Sequence, residues 1–153
     1  MKPEFLELST IDEYKEFYES NYCKKPIITF DGIPIYFGKD RFSHAFYESS
    51  DKRGSKDIFS KTRAKRMSWI KPILESKNAI ILQGWDKRTK SYKPCVRVAF
   101  EWEEFVVIVR LSLKRNGNIK GNFITCYLAD NSIEKIKKAP KWNLEDCLKY
   151  FGR

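Results

Sequence analysis

The alternation of apolar and polar residues changes period midway along the chain. In the N-terminal half, Ser9 to Tyr22 and Asp57 to Lys71 repeat apolar residues at helical spacing, and Arg41 to Tyr47 follows the capping residue Asp40, so helices are predicted. The C-terminal half repeats apolar residues at every second position, which is typical of strands. Strands are predicted there at Ala79 to Trp85, Cys95 to Trp102, Phe105 to Leu113 and Asn122 to Leu128.

Turn residues join the predicted strands over short distances. Glu103-Glu104 and Asn116-Gly117-Asn118 are such links, and short links favour antiparallel neighbours because parallel pairs need long crossovers. The predicted fold class is therefore α+β, with N-terminal helices packed on a four-stranded, or slightly larger, antiparallel meander sheet.

Weaker signals fill the remaining segments. Asp31-Gly32 predicts a hairpin turn, and Pro34 restricts the arm after it to an edge strand. Pro72 is predicted to end or kink the helix that begins at Asp57. Ser49 to Ser55 is polar and predicts a loop. Short C-terminal helices are predicted at Ser132 to Lys138 and at Asn143 to Phe151.

The composition indicates one soluble, cored domain. Hydrophobic residues make up 42% and aromatic residues 15% of the 153-residue chain, which argues against disorder. No apolar run approaches the ~20 residues that span a bilayer, and the acidic N-terminus does not form a signal peptide. A cytoplasmic location is expected, in the producing or in a target cell, with no membrane partner. Without C-x-x-C spacing, Cys23, Cys95, Cys126 and Cys147 are expected to be reduced structural thiols, and no metal or cofactor is predicted.

The positive charge is concentrated in the middle of the chain. The formal net charge is +10; residues 52–93 carry 13 basic and 3 acidic side chains, whereas residues 1–51 carry 6 basic and 10 acidic ones. A basic block of this kind attracts polyanions and accelerates their capture. RNA is the predicted partner, and a solvated surface with no partner is the alternative.

Two arginines and the single histidine are candidates for chemistry. Arg63 and Arg66 lie one turn apart on the predicted helix, and guanidinium groups match the geometry of phosphate oxygens. The alternative is that they pair with Asp57 or Glu75. His44 is the only side chain whose ordinary pKa lies near neutrality, as a general acid or base requires. A structural histidine is the alternative for His44.

The last predicted strand places polar side chains on one face. Alternation puts Phe123, Thr125 and Tyr127 together, and such a face can bind a phosphate and stack a base. Ordinary strand composition is the alternative, because Thr and Tyr favour strands. The other predicted RNA contacts are Lys61, Lys65, Arg97 and Arg110.

Several catalytic classes lack their sequence signals. Neither GxxxxGK[ST] nor GxGxxG occurs, and no nucleophile-elbow sequence supports a Ser-His-Asp triad. The acidic residues cluster towards the N-terminus, which disfavours a two-metal DNase. Metal-free RNA cleavage needs only a group that accepts the 2′-OH proton, cations that hold the phosphate and a proton donor for the leaving oxygen. His, Arg, Tyr and Thr side chains suffice for those roles.

These motifs resemble the phage-associated branch of the barnase/EndoU/colicin/RelE-like nuclease superfamily. The resemblance covers roughly residues 30 to 138. It consists of Phe42-Ser43-His44, then Arg63-Ala64-Lys65-Arg66-Met67-Ser68-Trp69-Ile70, then a closing strand with Thr125-Cys126-Tyr127. It implies a barnase/RelE-like nuclease domain over residues 30–153, preceded by an N-terminal helical extension over residues 1–29. It also implies metal-independent RNA cleavage of the kind found in toxins and phage-borne effectors.

The leading hypothesis from the sequence is a toxin-type endoribonuclease acting on tRNA, rRNA or mRNA. His44 would be the general base or acid, Arg63 and Arg66 would hold the scissile phosphate, and Thr125 and Tyr127 would position it, with Tyr127 a second proton donor. An acidic immunity or antitoxin protein would suit the basic stretch. The alternatives are a non-catalytic RNA- or ribosome-binding module and a phage accessory interaction protein.

Overall fold

The computed structural model describes residues 3–49, 56–130 and 133–152. The helices in those ranges are α1 (Ile11–Tyr22), α2 (Phe42–Ala45), α3 (Lys61–Ala64), α4 (Ile70–Glu75), α5 (Ile133–Lys137) and α6 (Leu144–Tyr150). Short 3₁₀ turns, Lys39–Arg41 and Met67–Trp69, lead directly into α2 and α4. None of these helices combines the length and the apolar character that crossing a bilayer requires.

The strands form one large sheet and two separate hairpins. They are β1 (Ile27–Ile28), β2 (Pro34–Tyr36), β3 (Tyr47–Ser49), β4 (Lys56–Phe59), β5 (Ile80–Leu82), β6 (Gly84–Asp86), β7 (Ser91–Lys93), β8 (Val98–Trp102), β9 (Phe105–Leu113) and β10 (Ile119–Leu128). The six-stranded sheet has the order β1-β2-β10-β9-β8-β5, while β3–β4 and β6–β7 pair as hairpins outside it. Within the large sheet, β2 runs parallel to β10 and the other neighbours are antiparallel.

The predicted α+β class is confirmed, but the six-stranded sheet is mixed and not antiparallel throughout as predicted. The difference comes from β2, which lies between β1 and β10 instead of at an edge. Pro34 is the first residue of β2 and pairs with Ile28, whereas β10 pairs with Ile35 and Tyr36. At the first position of a strand, the missing N–H of proline removes no hydrogen bond from the ladder. The prediction of an edge strand was therefore wrong.

The predicted helix from Asp57 to Lys71 was also wrong. Residues Lys56–Phe59 form strand β4 against β3, and Ser60 then caps α3 by accepting a hydrogen bond from the Arg63 backbone N–H at 3.2 Å. The chain leaves the α conformation after α3 and returns to it only at α4. Pro72 lies in the first turn of α4, where a backbone N–H has no partner to lose, so it does not end the helix. Of the predicted loop Ser49 to Ser55, residues 50–55 lie outside the described ranges.

Helices α1 to α4 cover one face of the large sheet, which we call the first face. Three tyrosines of α1 are buried there: Tyr14, Tyr18 and Tyr22. The Tyr22 hydroxyl donates to the Met67 carbonyl at 2.6 Å, which ties α1 to the turn before α4. The predicted N-terminal extension thus packs into the same core as the rest of the chain, and β1 pairs with β2 across the predicted boundary.

The opposite side of the sheet, the second face, has a smaller apolar cluster. It contains Leu82, Ala99, Val106 and Ile108, against which α5 packs through Ile133. The β6–β7 hairpin lies on this face beside α5. Helix α6 lies within its predicted segment and is capped by Asn143. Helix α5 lies within the predicted helix Ser132 to Lys138, of which residue 132 lies outside the described ranges.

A β-bulge in β10 changes which side chains share a face. The register with β9 shifts between Phe123 and Thr125, so the alternation is interrupted at Ile124. Phe123 belongs to the first-face core and stacks on Phe37 with ring centroids 4.8 Å apart. Tyr127 and Ile124 pack on the second face. The prediction that Phe123 shares a face with Thr125 and Tyr127 was therefore wrong.

The four cysteines are free thiols. Cys95, Cys126 and Cys147 are buried, and burial raises the pKa of the Cys126 thiol to about 12. A thiol with a raised pKa is a poor nucleophile at neutral pH, so Cys126 acts as a small apolar side chain beneath α2.

Candidate functional site

Beyond the short pairing of β2 with β10, a side chain from another element contacts the edge of β10. Strand β2 pairs with β10 only at Gly121 and Asn122, and the chain then crosses into the 3₁₀ turn before α2. Arg41, the last residue of that turn, donates from Nε at 3.0 Å and from Nη2 at 2.7 Å to the carbonyl of Ile124. The guanidinium therefore binds the backbone at the bulge and fixes the start of α2 against β10.

His44 lies on α2, half-buried, next to a second arginine. Arg63 of α3 donates from Nη1 to the carbonyls of Ala45 and Tyr47, both at 3.2 Å. Its side chain is only 14% exposed, and its Nε lies 3.8 Å from the Glu48 carboxylate. Arg63 thus joins α3 to the end of α2 and to β3, and it holds the backbone on which His44 is mounted.

The electrostatic surroundings of His44 are strongly positive. The pKa of His44 is lowered from its ordinary 6.5, first by partial burial and then by the positive charges of Arg41, Lys56, Arg63 and Arg97. These cations come from the 3₁₀ turn, β4, α3 and the segment before β8, so distant parts of the sequence converge here. We call His44 with these residues the cationic cluster. Because its pKa is lowered, the imidazole is predominantly neutral at pH 7.

Tyr127 connects the cationic cluster to the second face. Burial raises the pKa of Tyr127, while the positive charges of Arg97 and Arg63 oppose that shift. The phenol therefore keeps its proton at neutral pH. Thr125 lies opposite Ile108 in the ladder, which places it on the second face, and it is 7% exposed. Its burial limits how closely its hydroxyl can approach a bound molecule.

A cavity of about 230 Å³ lies on the second face, under the β6–β7 hairpin. We call it the second-face cavity. Arg97 and Tyr127 both line it, so it is continuous with the cationic cluster. The polar and aromatic side chains that line it besides these two are Gln83, Trp85, Lys87, Tyr92 and Lys135.

The sequence predicted that Arg97 lies within a strand, and this prediction was wrong. Arg97 immediately precedes β8 in the left-handed conformation, with φ 51°, and its side chain is exposed. The backbone here touches the hairpin: a Cβ at Gly84 would lie 1.9 Å from the Val96 carbonyl oxygen and 2.3 Å from that of Arg97. Only glycine allows the hairpin to approach this closely, so Gly84 sets the position of the Arg97 backbone.

Gly84→Ala is expected to destabilise the protein by roughly 1–3 kcal/mol or more, because the methyl group meets backbone atoms that cannot turn aside. Urea unfolding followed by circular dichroism measures this. Gly38→Ala is the matched control, since a Cβ there would meet the Asp40 carboxylate, the mobile end of a side chain, at 2.6 Å. Equal stabilities for the two variants would contradict the proposed contact.

Three of the predicted cations lie elsewhere. The Lys61 ammonium donates to the Leu8 carbonyl at 3.2 Å, and the Lys65 ammonium lies 4.5 Å from the centre of the Phe5 ring. Arg66 lies beside the stacked rings of Phe5 and Trp69, 5.0 Å and 5.2 Å from their centres, and donates to the Thr62 carbonyl at 2.7 Å. Because α3 ends at Ala64, Arg66 does not lie on the same helix as Arg63. These three side chains hold the N-terminal segment, and the structure does not bring them to His44.

Arg110 lies on strand β9. It is exposed on β9, and its neighbours Val109 and Leu111 belong to the first-face core, which places Arg110 on the second face. It pairs in the ladder with Asn122, beyond the bulge from Tyr127. Arg110 therefore extends the positive surface of the second face without joining the cationic cluster.

Two members of the cationic cluster were missed in the sequence. Arg41 precedes His44 by three residues, which is one helical turn, and this spacing was the available signal. Lys56 had no such signal, because its position depends on the pairing of β4 with β3. The β6–β7 hairpin was missed as well, since the predicted strand Ala79 to Trp85 is divided between β5 and β6.

Comparisons with models of protein families, with curated proteins and with solved structures find no match to this chain. Among residues 3–49, 56–130 and 133–152, no three His, Cys, Asp or Glu side chains lie together as a metal site requires.

Proposed function

We propose that the protein is a metal-independent endoribonuclease that cleaves RNA by attack of the 2′-OH on the adjacent phosphate. The observation that carries this proposal is the cationic cluster, in which one neutral imidazole stands among guanidinium and ammonium groups from four separate elements. A cluster of like charges costs folding free energy, and a bound phosphate would offset that cost.

His44 acts as the general base in this proposal. The reaction begins when the 2′-OH loses its proton, and the acceptor must be unprotonated at working pH. The lowered pKa of His44 provides that state at neutral pH. The sequence left its role open between acid and base, and the electrostatics favour the base.

The arginines hold the scissile phosphate and stabilise the negative charge that builds on it. Arg97 is the main candidate, because its side chain is exposed and its charge acts on the pKa values of both His44 and Tyr127. Arg41 and Arg63 use part of their donor capacity on backbone carbonyls. We therefore assign them to fixing the geometry and to raising the local positive potential.

Tyr127 donates the proton that the leaving 5′-oxygen requires. Its phenol remains protonated at neutral pH, and it lies next to the same arginines as His44. The O2′–P bond forms and the P–O5′ bond breaks. The products are a 2′,3′-cyclic phosphate, a free 5′-hydroxyl, a protonated His44 and a deprotonated Tyr127, which exchange protons with water before the next cycle.

The proposal also draws on the resemblance noted in the sequence. Helices α1 to α4 cover one face of the sheet, His44 lies on α2, and Tyr127 lies on the opposite face. A barnase/RelE-like nuclease domain and a toxin or effector role belong to this proposal. So does an acidic immunity or antitoxin protein, which would neutralise the cationic cluster by covering it.

The proposal is tested by incubating the purified protein with total RNA in EDTA and following the RNA by gel electrophoresis. Discrete fragments are expected, in amounts that added Mg²⁺ does not increase. Intact RNA that is nevertheless bound, with affinity falling steeply as salt rises, would replace the nuclease with a non-catalytic RNA-binding module. Absence of both cleavage and binding at about 0.1 M salt would contradict both the nuclease and the RNA-binding module.

The pH dependence of cleavage follows from the neutral base. A base acts in its unprotonated form, so kcat/KM is expected to be constant near pH 7 and to fall tenfold per pH unit on the acidic side. The midpoint of this limb should lie below pH 6.5, because the pKa of His44 is lowered. Initial rates at low substrate from pH 4.5 to 8 measure it. A midpoint above 6.5 would contradict the assignment of His44 as the base.

A further inference from the structure

The β6–β7 hairpin presents two aromatic rings to solvent beside the proposed catalytic groups. Trp85 and Tyr92 are cross-strand partners, 45% and 38% exposed, with ring centroids 5.1 Å apart and planes at 74°. Large rings are normally buried because exposure forfeits their apolar contacts. The hairpin lies outside the large sheet, so these rings are not the exposed margin of the main core.

The hairpin is anchored at its base, and its turn is closed by a local hydrogen bond. Its base is fixed by Gly84 against the Val96–Arg97 backbone. In its turn, the Asp86 carboxylate accepts from the Arg88 backbone N–H at 3.0 Å, and Lys90 has a left-handed φ of 53°. The two rings are therefore presented by an ordered element, which lowers the entropy that a ligand must offset on binding.

The cavity beneath the hairpin is positively charged. Its described lining includes the cations Lys87, Arg97 and Lys135 and no carboxylate. One end is apolar, formed by Ala99 and Ile108 of the second face. A flat aromatic ligand that carries negative charge nearby matches this combination, and a nucleotide has that chemistry.

We propose that the β6–β7 hairpin is a stacking platform for an unpaired RNA base, so that the substrate is single-stranded. Trp85 stacks the base that neighbours the scissile phosphate, and Tyr92, whose plane is at 74° to Trp85, supports that ring edge-on. Lys87 and Lys135 contact the flanking phosphates. Paired bases in an A-form helix already have both faces stacked, so a duplex offers no ring to this platform. This inference rests on the proposed ribonuclease function for the position of the scissile phosphate, and it specifies the class of RNA.

Binding of a fully 2′-O-methylated single-stranded oligonucleotide tests the platform separately from catalysis, because this RNA lacks the attacking hydroxyl. Trp85→Ala is expected to weaken binding roughly 5- to 150-fold, the range for loss of one base–aromatic stack. Trp85→Phe should recover most of the affinity. Phe30→Ala, at a 49% exposed ring on the β1–β2 connection, is the matched control and should bind within about twofold of the wild type.

A duplex of the same sequence is expected to bind more weakly than the single strand and to be insensitive to Trp85→Ala. Wild-type affinity for the single strand in Trp85→Ala, with a native circular dichroism spectrum, would overturn the platform. So would a duplex that binds as tightly as the single strand. If the protein cuts no RNA but Trp85→Ala still weakens binding, the platform stands and the nuclease proposal fails. If it cuts RNA and Trp85→Ala binds normally, only the platform fails.

Discussion

Replacing His44 with Gln is expected to lower kcat/KM for RNA cleavage by roughly 10²- to 10⁴-fold, the usual cost of losing a proton-transfer group. Glutamine is polar and of similar size, but it cannot accept the 2′-OH proton. The acidic limb of the pH profile should disappear in this variant, because the group that titrates there is gone. Initial rates on a single-stranded oligonucleotide, at several pH values, give both readouts.

Ser43→Ala is the matched control for His44→Gln. Ser43 is the neighbouring exposed residue of α2, and its hydroxyl donates to the local Asp40 carbonyl at 3.3 Å. Its variant should cleave RNA within about twofold of the wild type, as most surface substitutions do. A His44→Gln variant as active as Ser43→Ala would remove His44 from the mechanism.

Arg97→Ala is expected to reduce kcat/KM by roughly 10²- to 10³-fold, as loss of a group that stabilises transition-state charge does. Lysine at this position should restore only part of the rate, since it carries the charge but not the planar pair of donors. Arg97→Ala should also shift the pH profile of cleavage. Arg97 lowers the pKa of His44, so its removal raises that pKa and should move the acidic limb to higher pH.

Arg115→Ala provides the control for net charge. Arg115 is exposed, lies outside both the cationic cluster and the described lining of the second-face cavity, and loses the same single charge. It should change the rate by about twofold at most and leave the pH profile in place. Equal losses in Arg97→Ala and Arg115→Ala would mean that overall charge, and not a phosphate site at Arg97, determines activity.

The long, strongly periodic segments of this fold were predictable from the sequence. Helix α1 and strands β8 and β9 lie within their predicted segments, because each shows its period over a full element. Strand β10 contains its predicted segment, Asn122 to Leu128, but begins three residues earlier, at Ile119. Lys56–Phe59 was misassigned because its strand conformation depends on pairing with β3, which local sequence does not reveal. The bulge at Ile124 is likewise a property of the paired ladder, and a strict period of two cannot show it.

The candidate site was predictable only in part. The charges of Arg63 and Arg97 act on the pKa values of both His44 and Tyr127, and each of these four residues was named from its residue type and its local pattern. Arg66 was grouped with Arg63 on the assumption of one continuous helix, and the break after α3 removes that assumption.

What the sequence could not supply was the route of the chain past the edge of β10. That route brings Arg41 to the Ile124 carbonyl and Lys56 to His44. It is fixed by contacts between residues far apart in sequence, so no local pattern records it.

The chemical nature of the cut ends tests the proposed mechanism most directly. A single-stranded RNA oligonucleotide is incubated with the protein in EDTA, and the fragments are identified by mass spectrometry. Attack by the 2′-OH under the control of His44 and the surrounding cations predicts fragments ending in a 2′,3′-cyclic phosphate, each followed by one beginning with a 5′-hydroxyl. Fragments with 3′-hydroxyl and 5′-phosphate ends, or cleavage that begins only when Mg²⁺ is added, would contradict it.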